Sequence, residues 1–277
     1  MRFSIAQDTR RGARPTNQDR VGHARAEEAL LMVVTDGLGG HLHGEIAAQI
    51  ALDHVQAAFD TQARPRLGNP ELFLPRAIGG AHAAILHEAR SKRLRESPRT
   101  CIAACVVQQG HAYWSHIGDC RIYLLREGRI LARTRDHSLV QSLVDQGRIR
   151  EEAVASHPER NRLLQCLGGQ VPRFGPVAVQ RLAKSDVVLL CSDGFWGPLT
   201  QRQLVNAFLT RETEQAIPEL AALAEARGGT RCDNVSAVAM RWGEEEIASG
   251  EPVRTVPQYE LPTKVQDLTA TDPDTSQ

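Results

Sequence analysis

With 277 residues, 42% of them hydrophobic, the chain is long enough for a sizeable core, as one large domain or two small ones. Its 33 lysines and arginines balance 33 aspartates and glutamates, which excludes the basic footprint of a nucleic-acid binder. No apolar run approaches the ~20 residues of a membrane span, and the opening MRFSIAQDTRRGARP lacks a signal-peptide core, so the expected location is the cytoplasm.

In chain order, the first apolar run, RFSIAQ, is a predicted strand, and another is expected to begin at Val21, just after Asp19. ALLMVVT (29–35) follows as a strand, then a glycine-rich turn. After Gly44, EIAAQIALDHVQAAF is apolar on most sides, as a helix packed on a sheet should be. A second helix is predicted within residues 71–96. The runs TCIAACVV, HAYWSHI, CRIYLL and GRILA read as strands joined by short glycine-bearing hairpin loops. A helix is expected in HSLVQSLVDQG, a strand in DVVLLCS, a helix in EQAIPELAALAEARG and a last strand in NVSAVAMRW. Hairpins mixed with separated helices point to an α+β fold in which two antiparallel sheets face each other with helices outside. Beyond Trp242 the chain turns acidic and proline-bearing without periodicity, so residues 244–277 are expected to be a disordered tail. The six cysteines form no CxxC pair and sit mostly in apolar runs, where a thiol acts as a small hydrophobe; zinc and disulfides are not expected.

One pattern stands out within this scaffold. Asp36-Gly37 ends an apolar strand (MVVTDG), and Asp193-Gly194 repeats the arrangement (LLCSDG). Asp119 follows HAYWSHIG, Asp233 precedes NVSAVAM, and Asp19 precedes the strand at Val21. Each alone is an ordinary turn residue. If the strands are neighbours in two facing sheets, however, several carboxylates reach one edge, where like charges are costly unless cations neutralise them. Oxygen-only ligands select hard cations such as magnesium or manganese, and a carboxylate bridging two of them suits a two-metal hydrolase. The glycine after Asp36 admits close backbone approach. No GxGxxG, GxxxxGK[ST] or HExxH motif offers another chemistry.

The segments RPTNQD, DGLGGHLHGE, GDCRIYLL, RDHSLVQSLVDQGRI, HPERNRLLQCLGG, SDGFWGPL and CDNVSAVAM occur in that order. Together they resemble the successive motifs of the metal-dependent serine/threonine protein phosphatases, the PPM or type 2C family, in its compact bacterial form. The resemblance implies a four-layer α-β-β-α sandwich over residues 1–243, with a binuclear metal centre in the cleft at one end. It implies that Asp36 bridges both ions, that the Gly37 carbonyl binds one, and that Asp193 and Asp233 complete the second site. Asp19 matches the position that holds metal-bound waters, Arg14 the arginine that grips the substrate phosphate, and Asp119 a ligand of a third, weaker ion. Residues 137–169 match a mobile flap beside the site. Leu38 stands where eukaryotic members carry a histidine proposed as general acid, which leaves proton donation to a metal-bound water. His41 is expected to pack the loop rather than bind metal, and Cys120 replaces a more usual serine.

The implied activity is hydrolysis of phosphoserine and phosphothreonine by attack of a metal-bridging water, using Mg2+ or Mn2+ as two tight ions and a third weaker one. The implied partners are phosphorylated proteins and an opposing bacterial serine/threonine kinase, with neither nucleic acid nor membrane. Two rivals remain at this stage: a pseudophosphatase that binds without chemistry, and an enzyme for small phosphoesters or a sporulation-type regulator. In the tail, LTATDPD places an aspartate three residues after Thr269 and Thr271, a spacing that a phosphothreonine-reading partner favours.

Overall fold

The computed structural model describes residues 1–38 and 43–243, so the readings of His41 and of the tail lie outside the described residues. Ten strands alternate with helices: β1 Phe3–Arg10, β2 Asp19–Arg25, β3 Ala29–Gly37, α1 Gly44–Gln62, α2 Pro70–Ser91, β4 Thr100–Gln108, β5 His111–Ile117, β6 Arg121–Arg126, β7 Arg129–Arg133, α3 Leu139–Asp145, β8 Ala178–Arg181, β9 Val187–Cys191, α4 Asp193–Trp196, α5 Gln201–Thr210, α6 Thr213–Gly228 and β10 Val235–Trp242. The strands form two five-stranded sheets, in the orders β1-β10-β9-β6-β7 and β2-β3-β4-β5-β8. Every pairing is antiparallel. The expected four-layer sandwich is the fold.

The continuous apolar runs follow from the layering. Side chains alternate across a strand, and here both faces are covered. In β3, Leu30, Met32 and Val34 face the layer between the sheets, while Leu31 and Val33 meet α1 and α2 with Val55, Phe59, Leu74 and Ile78. In β9, Val188 and Leu190 face inward, and Val187, Leu189 and Cys191 meet Phe195, Phe208, Ile217 and Leu220 from α4, α5 and α6. Full burial of one such Leu, Ile or Phe side chain contributes about 1.5–3 kcal/mol, so a shift by one residue that swaps the faces of a strand is strongly disfavoured.

Two element boundaries and two whole elements differ from the sequence reading. The second helix stops at Ser91, because Arg93 adopts φ 51° and Leu94 N–H closes on the Ala89 carbonyl at 2.9 Å, a left-handed helix end. β2 begins at Asp19 itself, which pairs with Asp36 in the ladder. Helix α5 was not anticipated; it starts at Thr200, whose hydroxyl accepts from Gln203 N–H while the Gln203 side chain accepts from Thr200 N–H. That reciprocal cap is written in the sequence as T-x-x-Q. Four-residue β8 was also missed, being too short for its alternation to register. Among the described residues, no helix is long and apolar enough to cross a membrane.

Candidate metal centre and its cleft

The ladders carry five aspartates to one end of the sandwich. Asp19 opens β2 directly opposite Asp36 near the end of β3. Asp119 lies two residues past β5 and two before β6, Asp193 two past β9, and Asp233 two before β10. Because β9 pairs with both β6 and β10 at Cys191, opposite Arg121 and Ala237, these ends coincide in space. Asp36, Gly37, Asp119, Asp193 and Asp233, with Arg14, line a cleft of about 470 Å3. Asp19 is absent from that lining; it sits behind it, 2% exposed, and its Oδ2 accepts from Ser192 Oγ at 2.8 Å across the two sheets.

Two glycines allow the backbones to meet here. A Cβ on Gly37 would lie 2.5 Å from the Gly44 carbonyl group and 2.8 Å from the Gln18 oxygen, so any side chain there would push α1 away from β3. Gly12, at φ 61°, brings the β1–β2 connection against the chain at Asp233, whose carbonyl oxygen would stand 2.1 Å from an added Cβ. The connection is fastened by Asn234: its Oδ1 accepts from Gln18 N–H, and its Nδ2 donates to the carbonyls of Arg11 and Thr16. Arg14 projects from this fastened segment. Its Nε and Nη2 donate to the two Asp233 oxygens at 2.9 and 2.6 Å.

The electrostatics are those of a cation site. Burial is the first cause pushing the Asp36 carboxyl well above the ordinary carboxylate range, reinforced by the charges of Asp19, Asp193, Asp119 and Asp233. Burial likewise raises Asp193 to about 7, with repulsion from Asp119 and Asp233. It raises Asp19 to about 7 against the lowering effect of its serine hydrogen bonds. Asp119 rises to about 6 through burial and the charge of Asp136. Asp36 and Asp193 line the same cleft and act on each other, the charge of Asp193 helping to push Asp36 up. Two ionised carboxylates in such a position are costly without a proton or a cation beside them. Among the described residues, no three His, Cys, Asp or Glu side chains form a closed ligand cage, and Arg14 occupies Asp233. The donor set nonetheless fits hard divalent cations: it is all oxygen, it faces solvent on one side, and its charges need neutralising.

Arg14, Asp36, Gly37, Asp119, Asp193 and Asp233 therefore line this cleft with Asp19 behind them, and the cleft holds others that the sequence reading does not single out. Gln18, Arg99, Asn161, Leu163 and Cys166 also line it. Gln18 and Asn234 stand inside the quoted segments NQD and CDN, so their motifs were the available signal. Arg99 stands just before a predicted strand, where nothing local marks it. Leu38 lines the cleft while its N–H donates to Arg99 O at 3.0 Å. The segment 137–169 carries α3 and a 3-10 turn over Glu151–Ser156, is pinned by the bridges Ser138–Leu163 and Thr100–Leu167, and forms one wall of the cleft. Asp119 has its own anchors: Cys101 Sγ donates to its Oδ1 at 3.1 Å, and Trp196 Nε1 to its carbonyl at 3.0 Å.

Known proteins share this fold and these motifs. The serine/threonine protein phosphatase PstP of Mycobacterium tuberculosis is 31% identical over 241 residues, covering 87% of this chain and 45% of that protein. A putative protein phosphatase 2C-type of Streptococcus pyogenes serotype M6 is 28% identical over 236 residues, covering 84% of this chain and 95% of its own length. The chain thus spans less than half of the first of these relatives and nearly all of the second. Among solved structures, the catalytic domain of PstP in complex with two manganese ions superposes with a TM-score of 0.76 at 29% identity, over 87% of this chain and 99% of that one. Stp1 from Staphylococcus aureus gives 0.80 at 26% identity, over 88% and 96%. The profile of the protein phosphatase 2C family matches residues 7–226, from β1 into α6 and so across four of the five aspartates, and the chain belongs to that family.

Proposed function

We propose that this chain is a metal-dependent phosphatase of phosphoserine and phosphothreonine proteins, acting in the cytoplasm against a bacterial serine/threonine kinase. The observation that carries the reading is the gathering of Asp36, Asp119, Asp193 and Asp233, with Arg14, on the lining of one open cleft. Asp36 is assigned as the ligand shared by two ions, with the Gly37 carbonyl beside it, and Asp193 and Asp233 as ligands of the second. Asp119 is assigned to a third, weaker site, since Cys120 rather than a glycine follows it and leaves less room for close backbone approach. Magnesium or manganese suits all of these oxygens. Cations held by these oxygens would neutralise the carboxylates and supply Lewis acidity toward an attacking water and the phosphoryl group.

The chain's own residues do the rest. Asp19, fixed by Ser192, keeps an acceptor behind the ligands that orders water within the cleft. Arg14 presents a planar fork suited to two phosphate oxygens at once, and Gly12 with Asn234 holds its segment in place. Among the described residues lining the cleft there is no histidine, and Leu38 has no proton to give, so the leaving serine or threonine oxygen takes its proton from water. Residues 137–169 are proposed to act as the flap that admits the phosphopeptide. Residues 1–243 are proposed to carry the whole activity, and a phosphothreonine-reading partner is proposed for Thr269 and Thr271.

The test is hydrolysis of a panel of phosphopeptides and phosphorylated sugars in chelator, then with manganese or magnesium restored. The expected result is metal-dependent release of phosphate from the phosphopeptides in preference to the sugars. Full activity in chelator would overturn the two-ion mechanism, preference for sugars the protein substrate, and no activity with either metal would leave a binding module. Deleting residues 246–277 is expected to leave hydrolysis of a small aryl phosphate unchanged.

A further inference from the structure

Two guanidinium groups reach the cleft, and they are held differently. Arg14 is engaged by Asp233. Arg99, half-buried in the connection between α2 and β4, makes no ion pair among the described residues, and its Nε is buried without a hydrogen-bond partner. A buried donor left in this state is destabilising unless a ligand or water meets the group.

The backbone around Arg99 is fixed on both sides. Its carbonyl accepts from Leu38 N–H at 3.0 Å, and Thr100 exchanges backbone hydrogen bonds with Leu167 at 3.2 and 2.9 Å. Thr100 Oγ1 also donates to the Asp36 carbonyl at 2.8 Å. The residue is thus locked one position from the strand register that carries Asp36, with little ordering left to do on binding. Its side chain lies against the 161–169 wall rather than the aspartates. A Cβ on Gly169 would stand 3.8 Å from Arg99 Nε, and the guanidinium charge acts on the neighbouring Cys166 thiol.

We propose that Arg99 is a specificity-determining residue that binds a carboxylate on the substrate peptide beside the phosphorylated residue. This rests on the phosphoprotein reading of the cleft and deepens it, by making acidic phosphopeptides the favoured class. The phosphoryl group is served by Arg14 and by whatever cations the aspartates hold. Arg99 is a second, unspent positive charge on a different wall, shared with Asn161, Leu163 and Cys166, across which a peptide must run. An arginine–carboxylate contact is directional and charge-assisted, so it distinguishes glutamate from glutamine at a flanking position.

The test uses the full chain with manganese and two labelled peptides bearing a non-hydrolysable phosphoserine analogue, one flanked by glutamates and one by glutamines. Fluorescence anisotropy of the wild type is expected to favour the glutamate peptide about tenfold. Arg99→Ala and Arg99→Gln are both expected to abolish that preference, and Arg99→Lys to restore part of it. Equal binding of the two peptides by the wild type, or a preference that survives in Arg99→Ala and Arg99→Gln, would overturn the proposal. Turnover of the matching phosphoserine peptides separates the two readings. A binding preference without hydrolysis of either peptide sinks the phosphatase reading and leaves Arg99 assigned; hydrolysis of both with no preference does the reverse.

Discussion

Arg14 and Asp233 meet fork to fork, with both Asp233 oxygens accepting from the one guanidinium at 2.9 and 2.6 Å. Their side chains are 48% and 38% exposed, so the pair adds little to stability. It instead ties two groups with separate assignments, a phosphate-binding arginine and a metal-binding carboxylate. Arg14→Ala is expected to free Asp233, so the tight ions still bind, while kcat/KM on a phosphopeptide falls about ten- to a hundredfold. Calorimetric counting of bound manganese alongside kinetics checks this. Loss of metal with Arg14 would reverse the two roles.

At Asp36 charge is costly in the absence of a cation, through burial and four neighbouring carboxylates. Asp36→Asn keeps the shape and removes the charge. Turnover is expected to fall on the order of a thousandfold, since the shared ligand is lost. In chelator, however, the variant is expected to melt above the wild type, because its repulsion has been relieved. Thermal unfolding with and without manganese reads both effects, and a lower melting point in chelator would contradict the account of the site.

Much of this was legible in the sequence for a physical reason: strands buried on both faces give unbroken apolar runs, and their ends are where aspartates accumulate. The run from Ala29 to Gly37 marks both a central strand and its terminal carboxylate. What stayed hidden depends on distant pairing. That Asp19 lies opposite Asp36, that Asn234 fastens the Arg14 segment, and that Arg99 joins the cleft are facts of register between segments far apart in the chain. No local pattern encodes them. Helix α5, by contrast, is announced by its own capping box from Thr200 to Gln203, a local signal that needs no distant pairing.

The pH dependence of stability follows with a definite sign. Asp19 and Asp193 at about 7, Asp119 at about 6 and Asp36, pushed well up by burial, are raised above the ~3.9 of an unfolded aspartate. In chelator the folded state therefore holds extra protons, and their stabilising contribution is full below about pH 4 and lost as pH rises through 6–7. Burial works the other way on the stacked pair His116 and His137, whose rings lie 4.5 Å apart: both are lowered, His137 to about 3. Their contribution is lost as pH falls below ~6.5. It is common to the metal-loaded and chelated proteins and cancels in the difference. The melting-temperature gap between manganese-loaded and chelated protein is expected to widen between pH 5 and 7.5, by on the order of 5 °C. A gap that stayed constant or narrowed would show that the cations do not bind at these carboxylates.

Asp119 is the aspartate whose role is most separable from the fold. Its backbone is held by Trp196 Nε1. Arg121 lies over the Trp196 ring, 3.3 Å from its centre, and forks onto Asp136 with two contacts of 2.8 Å. None of these anchors uses the Asp119 carboxylate, which accepts from Cys101 Sγ and is repelled by Asp136. Asp119→Ala is thus expected to fold and, in chelator, to melt no lower than the wild type. With Asp36, Gly37, Asp193 and Asp233 intact, two manganese ions should still bind tightly. Turnover should nonetheless fall about ten- to a hundredfold, because a carboxylate in this wall of the cleft is positioned to hold a weaker ion or order the water that protonates the leaving oxygen. Calorimetry for the ion count and kinetics on one phosphopeptide, for both proteins, decide the matter. Unchanged turnover would make Asp119 a turn residue between β5 and β6, and loss of all bound metal would move it into the primary pair.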